Sequence, residues 1–139
     1  MRQRTPVSTI MSTDIIALNR TDDLEYAELL FKQNNIRHIP VVSGDVIIGM
    51  LSYTDLLRIS FADAVDDTET HVDSLVYNMF TIDQVMVKNV TTIHSKLSIK
   101  EVAEILASKE FHALPVVDDG ILVGIVTTTD LINYLIAQY

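Results

Sequence analysis

The chain of 139 residues contains no cysteine and only four glycines. Without cysteine it can form no disulfide, thiolate metal site or cysteine nucleophile. The sequence also has no glycine-rich phosphate loop and no nucleophile elbow, so nothing supports catalysis and we expect a non-enzyme. No apolar run approaches a membrane span, and the first residues are too polar for a signal peptide. We therefore expect a cytoplasmic protein without a membrane partner.

Positive charge is also scarce, because 10 basic residues face 19 acidic ones and give a net charge of −9. A chain so acidic would be repelled by a phosphate backbone, so we expect no nucleic-acid partner. The four histidines (His38, His71, His94 and His112) show no metal-ligand spacing, and we expect no bound metal. The hydrophobic content of 48% is ample for a packed core.

A stretch of eight residues occurs twice. Gly124–Leu131 reads as a buried strand that runs into a helix start, and Gly49–Leu56 has the same pattern. The two stretches are offset by 75 residues, and the same offset aligns Pro40-Val41-Val42 with Pro115-Val116-Val117 and Met11 with Met86. The chain is therefore two copies of one unit, each ending in a hydroxyl-rich turn with an aspartate.

Each copy is predicted to be a β-α-β-β-α unit, which makes the fold class α+β. The predicted first strands are Ile15–Leu18 and Val90–Ile93. We place the copies at residues 1–60 and 81–139, joined by an acidic connector at 61–80. One unit of this size is marginal alone, so we expect the two to pack through their sheets about a pseudo-twofold axis, with ligand clefts at the junction.

The methionine, the Pro-Val-Val strand and the Ser/Thr-x-x-Asp turn together resemble the cystathionine β-synthase (CBS) domain, here as a tandem pair or Bateman module. The resemblance covers about Val7 to Ile136. It implies a regulatory module that binds AMP, ADP, ATP or S-adenosylmethionine in clefts between the copies and modulates an unidentified partner protein. No cofactor is obligatory. It also implies a disc-shaped homodimer, which the apolar helices favour as well.

The resemblance carries site residues over to this sequence. The ribose hydroxyls would be received by two carboxylates, Asp55 and Asp130. The phosphates would be met by the hydroxyls and basic side chains Ser52, Thr54, Thr127, Thr129, Arg37, His38 and His112. The adenine would lie against the first strand and the entry of the Pro-Val-Val strand, at Ile15, Ile16, Ile39, Pro40, Val90, Thr91, Leu114 and Pro115.

Alternatives stay open, among them a detached regulatory half that acts in trans on an enzyme of nucleotide metabolism. The Ser/Thr-x-x-Asp pattern is also that of a capping box, which would explain the hydroxyl and the aspartate without a ligand. The module could then be a structural, self-associating one with vestigial, unoccupied clefts. In the first copy, Tyr53 could stack on a ligand or block it, which makes Thr127–Asp130 the richer candidate site.

Overall fold

The computed structural model describes residues 4–64, 79–109 and 111–139, so most of the predicted connector lies outside the described residues. The chain forms two compact units. The central unit is Ile16–Val90, and the terminal unit combines Met1–Ile15 with Thr91–Tyr139. These spatial units cut across the two copies in the sequence, since the first fifteen residues belong with the second copy. The copy boundaries at 1–60 and 81–139 stay a prediction about chain order.

In its described residues, 16–64 and 79–90, the central unit holds a three-stranded sheet and three helices. Its elements in chain order are β1 (Leu18–Asn19), α1 (Leu24–Asn34), β2 (His38–Ser43), β3 (Val46–Ser52), α2 (Tyr53–Ala64) and α3 (Ile82–Val85). The strands lie in the order β1-β2-β3, with β1 parallel and β3 antiparallel to β2. The predicted α+β class is confirmed for this unit.

The terminal unit repeats the hairpin and its two helices. Its elements are a short 3-10 turn (Val7–Thr9), α4 (Ile99–Lys109), β4 (Ala113–Asp118), β5 (Ile121–Thr127) and α5 (Thr128–Ala137). Strands β4 and β5 form an antiparallel pair in the same register as β2 and β3, including a bulge at the equivalent position. None of the helices in the described part of the chain has the length and apolar character needed to cross a bilayer.

Helix α1 illustrates how local sequence sets the elements. Its N-terminus is capped by Asp23, whose side chain accepts a hydrogen bond from the Tyr26 amide. Its C-cap, Asn35, lies in the left-handed region at φ 52°, which asparagine tolerates better than most residues. Leu24 and Phe31 lie on the buried face, as their helical spacing predicts, and join the central core.

The first strand of each copy is shorter than predicted. In the first copy only Leu18–Asn19 pairs with β2, and in the second only Ile93 makes a single bridge, to Val116. The prolines explain the difference. The Ile93 amide donates to the Pro115 carbonyl and the Val117 amide donates to the Ile93 carbonyl. The next donor along that edge would be the amide of Pro115, which proline lacks, so the parallel ladder stops there.

A short segment pairs with the outer edge of β3 in the central unit. We call it the central strap, Met86–Val87. Val87 and Met50 exchange two backbone hydrogen bonds of 2.9 and 3.0 Å. The Met86 side chain lies over Gly49, where a Cβ would overlap its sulfur and approach the Val87 carbonyl oxygen to 3.0 Å. Glycine is therefore required at position 49 for the strap to lie this close.

The terminal unit has the equivalent strap, Met11–Ser12. Ser12 and Ile125 exchange backbone hydrogen bonds of 2.8 and 3.0 Å along the edge of β5. A Cβ on Gly124 would come within 2.6 Å of the Met11 sulfur and 3.0 Å of the Ser12 carbonyl oxygen. The strap of each unit thus comes from the start of the other sequence copy, which is why the spatial units and the copies differ.

A side-chain clamp holds the turn after Ile93 to the end of β4. The Ser95 hydroxyl donates to Asp118 Oδ2 at 2.5 Å, and the Ser95 amide donates to Asp118 Oδ1 at 3.0 Å. Both bonds favour the ionised carboxylate, so they hold the pKa of Asp118 below its ordinary value. The clamp fixes the chain that leads away from the shortened first strand of the second copy.

Candidate functional site

The strand-to-helix turn of the terminal unit is a complete capping box. The Thr127 hydroxyl accepts a hydrogen bond of 3.1 Å from the Asp130 amide, and Asp130 Oδ2 accepts one of 2.9 Å from the Thr127 amide. Together they satisfy two amides at the start of α5. The capping role that the pattern allows is therefore real in this copy. One carboxylate oxygen of Asp130 does the capping, which leaves Oδ1 for another partner.

The equivalent turn of the central unit is capped only from one side. The Ser52 hydroxyl accepts a hydrogen bond of 3.0 Å from the Asp55 amide. The Asp55 carboxylate is directed along the helix instead, where Oδ1 lies 3.4 Å from Arg58 Nη1. The two aspartates of the repeat are therefore held differently, one by backbone and one by a cation.

The residues before Pro40 lie beside this turn. His38 is directly opposite Ser52 in the β2–β3 ladder, and residues paired in this way project on the same face of a sheet. The Arg37 carbonyl accepts a hydrogen bond of 2.9 Å from the Tyr53 amide at the start of α2. The fold thus places His38 on the same face as Ser52 and the backbone of Arg37 beside the start of α2.

The second copy repeats this backbone arrangement with less positive charge. The His112 carbonyl accepts a hydrogen bond of 3.0 Å from the Thr128 amide at the start of α5. Ala113 is opposite Thr127 in the β4–β5 ladder, where the first copy has a histidine opposite its serine. The backbone of His112 therefore lies beside the turn that carries Thr127 and Asp130, and their joint role in a ligand site stays a prediction.

Tyr53 packs against the core of its own unit. Its ring packs against Phe31, with ring centroids 5.1 Å apart at an interplanar angle of 37°. It belongs to the shell of the central core. The next residue, Thr54, is exposed at the second position of α2, and Thr129 is exposed at the second position of α5. Both hydroxyls are accessible to a ligand at the turns.

The profile of the CBS domain family matches residues 7–62 and 82–137, which is most of the chain. The chain belongs to the CBS domain family. The match places one CBS domain on each sequence copy and confirms the resemblance that the Ser/Thr-x-x-Asp turns indicated.

Among curated proteins, MJ1225 of Methanocaldococcus jannaschii is 26% identical over 130 residues, covering 92% of this chain and 46% of its own length. The inosine-5′-monophosphate dehydrogenase of Thermoplasma acidophilum is 30% identical over 126 residues, covering 90% of this chain and 22% of its own length. The chain thus spans less than half of either relative. Both are larger proteins that contain a region similar to this CBS pair.

Solved structures share the fold. The CBS domain pair of protein MJ0100, in complex with 5′-methylthioadenosine and S-adenosyl-L-methionine, superposes with a TM-score of 0.77 at 26% identity. The superposition covers 97% of this chain and 98% of that one. The α+β fold with two CBS units is therefore shown by the family match and by this structural likeness.

The predicted adenine-pocket residues of the CBS pair fall into two groups. Ile39 and Leu114 are buried in the cores of their own units, at 0% and 1% exposure. The prolines that follow them, Pro40 and Pro115, are buried too. The four residues that precede the paired part of each first strand are half-buried: Ile15, Ile16, Val90 and Thr91. The core residues can face a ligand only through their backbone, and the second group can also offer side chains.

One residue of the first CBS copy was missed by sequence reasoning. Arg58 contacts the Asp55 carboxylate from the next turn of α2. The signal was available, because residues three apart on a helix share a face. In the part of the chain that the structure describes, no group of histidine, aspartate and glutamate is arranged to hold a metal ion.

Proposed function

We propose that this CBS pair is a regulatory module that binds an adenosine-containing ligand at its two Ser/Thr-x-x-Asp turns and modulates a partner protein without catalysing a reaction. The observation that supports it most is that each turn carries a hydroxyl and a carboxylate next to the backbone of a basic or imidazole residue. The MJ0100 pair, which holds two adenosyl compounds, supports the ligand class. Candidates are AMP, ADP, ATP and S-adenosylmethionine.

The ribose is assigned to Asp55 and Asp130. A carboxylate only accepts hydrogen bonds, so it suits two adjacent hydroxyls that both donate. Asp130 can bind them through Oδ1 while Oδ2 keeps its bond to the Thr127 amide. In the central unit the ribose would compete with Arg58 for Asp55 Oδ1.

The adenine is assigned to the half-buried residues that precede Leu18 in the first copy and Ile93 in the second, where pairing with the neighbouring strand begins. The missing proline amide ends the parallel ladder, so the backbone at Ile16 and Thr91 is not committed to sheet pairing. Backbone N–H and C=O groups at such a position can read the polar edge of a purine. The phosphates are assigned to the turn hydroxyls and to the neighbouring basic side chains Ser52, Thr54, Thr127, Thr129, Arg37, His38 and His112.

Titration calorimetry with AMP, ADP, ATP and S-adenosylmethionine tests this proposal. We expect Asp130→Ala to weaken binding at the terminal turn at least about tenfold, which corresponds to about 1.4 kcal/mol. Asp55→Ala should do the same at the central turn. Asp130→Asn keeps a capping oxygen for the Thr127 amide but removes the charge, so it separates helix capping from ligand binding.

Asp45→Ala is the matched control, because Asp45 is exposed in the β2–β3 turn, at the other end of the hairpin from the site. It should leave every affinity unchanged. Absence of binding by the unmodified protein to all four ligands at millimolar concentration would contradict the proposal.

A second candidate function, self-association, is favoured by the surface of α5. Ile132, Leu135 and Ile136 are exposed at 56%, 44% and 63%. An apolar face of this kind on a repeat protein favours an isologous contact, so we propose a homodimer. We expect light scattering coupled to size-exclusion chromatography to give a dimer mass at micromolar concentration.

The variant Ile136→Glu should shift that equilibrium to the monomer, since it would bury a charge in the interface. Ile121→Glu is the control, because Ile121 is 46% exposed at the start of β5, outside α5. A monomer for the unmodified protein would rule the homodimer out. A dimer that binds none of the adenosyl ligands would favour self-association as the main function.

A further inference from the structure

Arg58 is positioned to act on a ligand of the central unit. Its Nη1 lies 3.4 Å from Asp55 Oδ1, and its side chain is 74% exposed, whereas that of Asp55 is 24% exposed. The cation therefore touches the carboxylate that the proposed function assigns to the ribose. Most of the guanidinium surface faces solvent.

The ion pair between Asp55 and Arg58 stabilises α2 only weakly. An ion pair this exposed contributes little to stability, because water screens the two charges. Little free energy is therefore lost when the guanidinium moves from Asp55 to another anion.

The second copy has no equivalent cation. The residue 75 positions after Arg58 is Asn133, which carries no charge. The same offset replaces His38 by Ala113 and Arg37 by His112. At these three positions the first copy therefore carries two arginines and a histidine, and the second copy a single histidine.

We propose that Arg58 is a specificity-determining residue that makes the central turn select nucleoside di- and triphosphates over uncharged adenosyl ligands. This inference rests on the proposed function. A ribose that binds Asp55 displaces Arg58 from Oδ1. A phosphate chain gives the guanidinium a new anionic partner, with which it can form paired hydrogen bonds.

A ligand without phosphate leaves the displaced guanidinium with water alone, so it binds the central turn less favourably. At the terminal turn, no ion pair within the described residues holds Asp130, whose Oδ2 accepts from the Thr127 amide, so a ligand there displaces no cation. This turn therefore accepts uncharged adenosyl ligands and gains less from added phosphates.

The test is calorimetric titration of ATP and adenosine into the full chain carrying Asp130→Ala, in which only the central turn retains its carboxylate. Adding Arg58→Gln should weaken ATP binding about tenfold and leave adenosine binding unchanged or slightly tighter. It should also reduce the loss of ATP affinity with rising salt, since a charge contact is removed. Lys32→Gln, on α1 of the same unit, is the control for net charge and should change neither affinity.

The converse variant places the cation in the other copy. In the full chain carrying Asp55→Ala, Asn133→Arg should raise the ratio of ATP to adenosine affinity several-fold. An equal loss of both affinities in Arg58→Gln would show a structural role and overturn the inference, as would an unchanged ATP affinity. Failure of the unmodified protein to bind either ligand would instead overturn the proposed function, and this inference with it.

Discussion

Replacing Phe31 by alanine is expected to lower the free energy of unfolding by about 3–5 kcal/mol, the cost of removing a buried aromatic side chain. Phe31 is 2% exposed and belongs to the core of the central unit. Its ring also packs against Tyr53, the first residue of α2. The substitution therefore leaves a cavity and removes an aromatic contact at the same time.

The loss should reach the candidate site, because Tyr53 adjoins Ser52 and donates its amide to the Arg37 carbonyl. Urea unfolding followed by circular dichroism measures the stability change. Tyr26→Ala on the same helix is the control, since Tyr26 is 44% exposed and should cost less than about 1 kcal/mol. Equal costs for the two variants would mean that Phe31 does not anchor the core.

The second large effect is expected at Gly49. A methyl group there would overlap the Met86 sulfur and press on the Val87 carbonyl oxygen. The sulfur can move, but the backbone oxygen is held by the hydrogen bonds between Val87 and Met50. We expect Gly49→Ala to lower the free energy of unfolding by about 1–3 kcal/mol, the usual cost of overpacking.

A double-mutant cycle identifies the cause. Met86→Ala removes the overlapping sulfur, so the cost of Gly49→Ala should fall when both changes are present. Gly124→Ala repeats the experiment in the terminal unit, where the Met11 sulfur and the Ser12 carbonyl oxygen are the close atoms. Additive costs at Gly49 and Met86 would show that the strap does not press on this glycine.

Local sequence signals predicted most of the fold. The Asp-Gly dipeptide between β4 and β5 is typical of a hairpin turn and forms one, with Asp119 at φ 52° and Gly120 at φ 80°. A capping box likewise starts α4, since Glu101 and Ser98 accept hydrogen bonds from each other's amides. These features depend on residues within four positions of each other, which is the range over which spacing and residue type are informative.

The first strands could not be predicted in full, because their length depends on a distant residue. Apolar residues favoured strands at Ile15–Leu18 and Val90–Ile93, but the parallel ladder is limited by Pro40 and Pro115 on the neighbouring strand. The sequence of the first strand does not show that its partner strand lacks an amide at the position where pairing would continue.

The straps could not be predicted either, because each pairs with a strand that is distant in the sequence. The alignment of Met11 with Met86 marked an equivalent position, but not the strand edge that each segment joins. A glycine inside each apolar strand was the available signal, since such glycines often mark a close approach of another backbone. At the site, the Ser/Thr-x-x-Asp turns were found from sequence, whereas the different settings of Asp55 and Asp130 depend on side-chain direction.

The straps have a consequence for how such a pair can be divided. An outer strand with unpaired N–H and C=O groups is a template for adding another strand, and proteins that leave one bare tend to associate through it. Met50 and Ile125 are shielded by residues from the start of the other copy. A single copy excised at the sequence boundary would carry a bare edge together with the strap that fits its sister. Such a copy could cover its edge only by exchanging straps with a second molecule, which is domain swapping. Because this chain carries both copies, the same exchange takes place within one molecule.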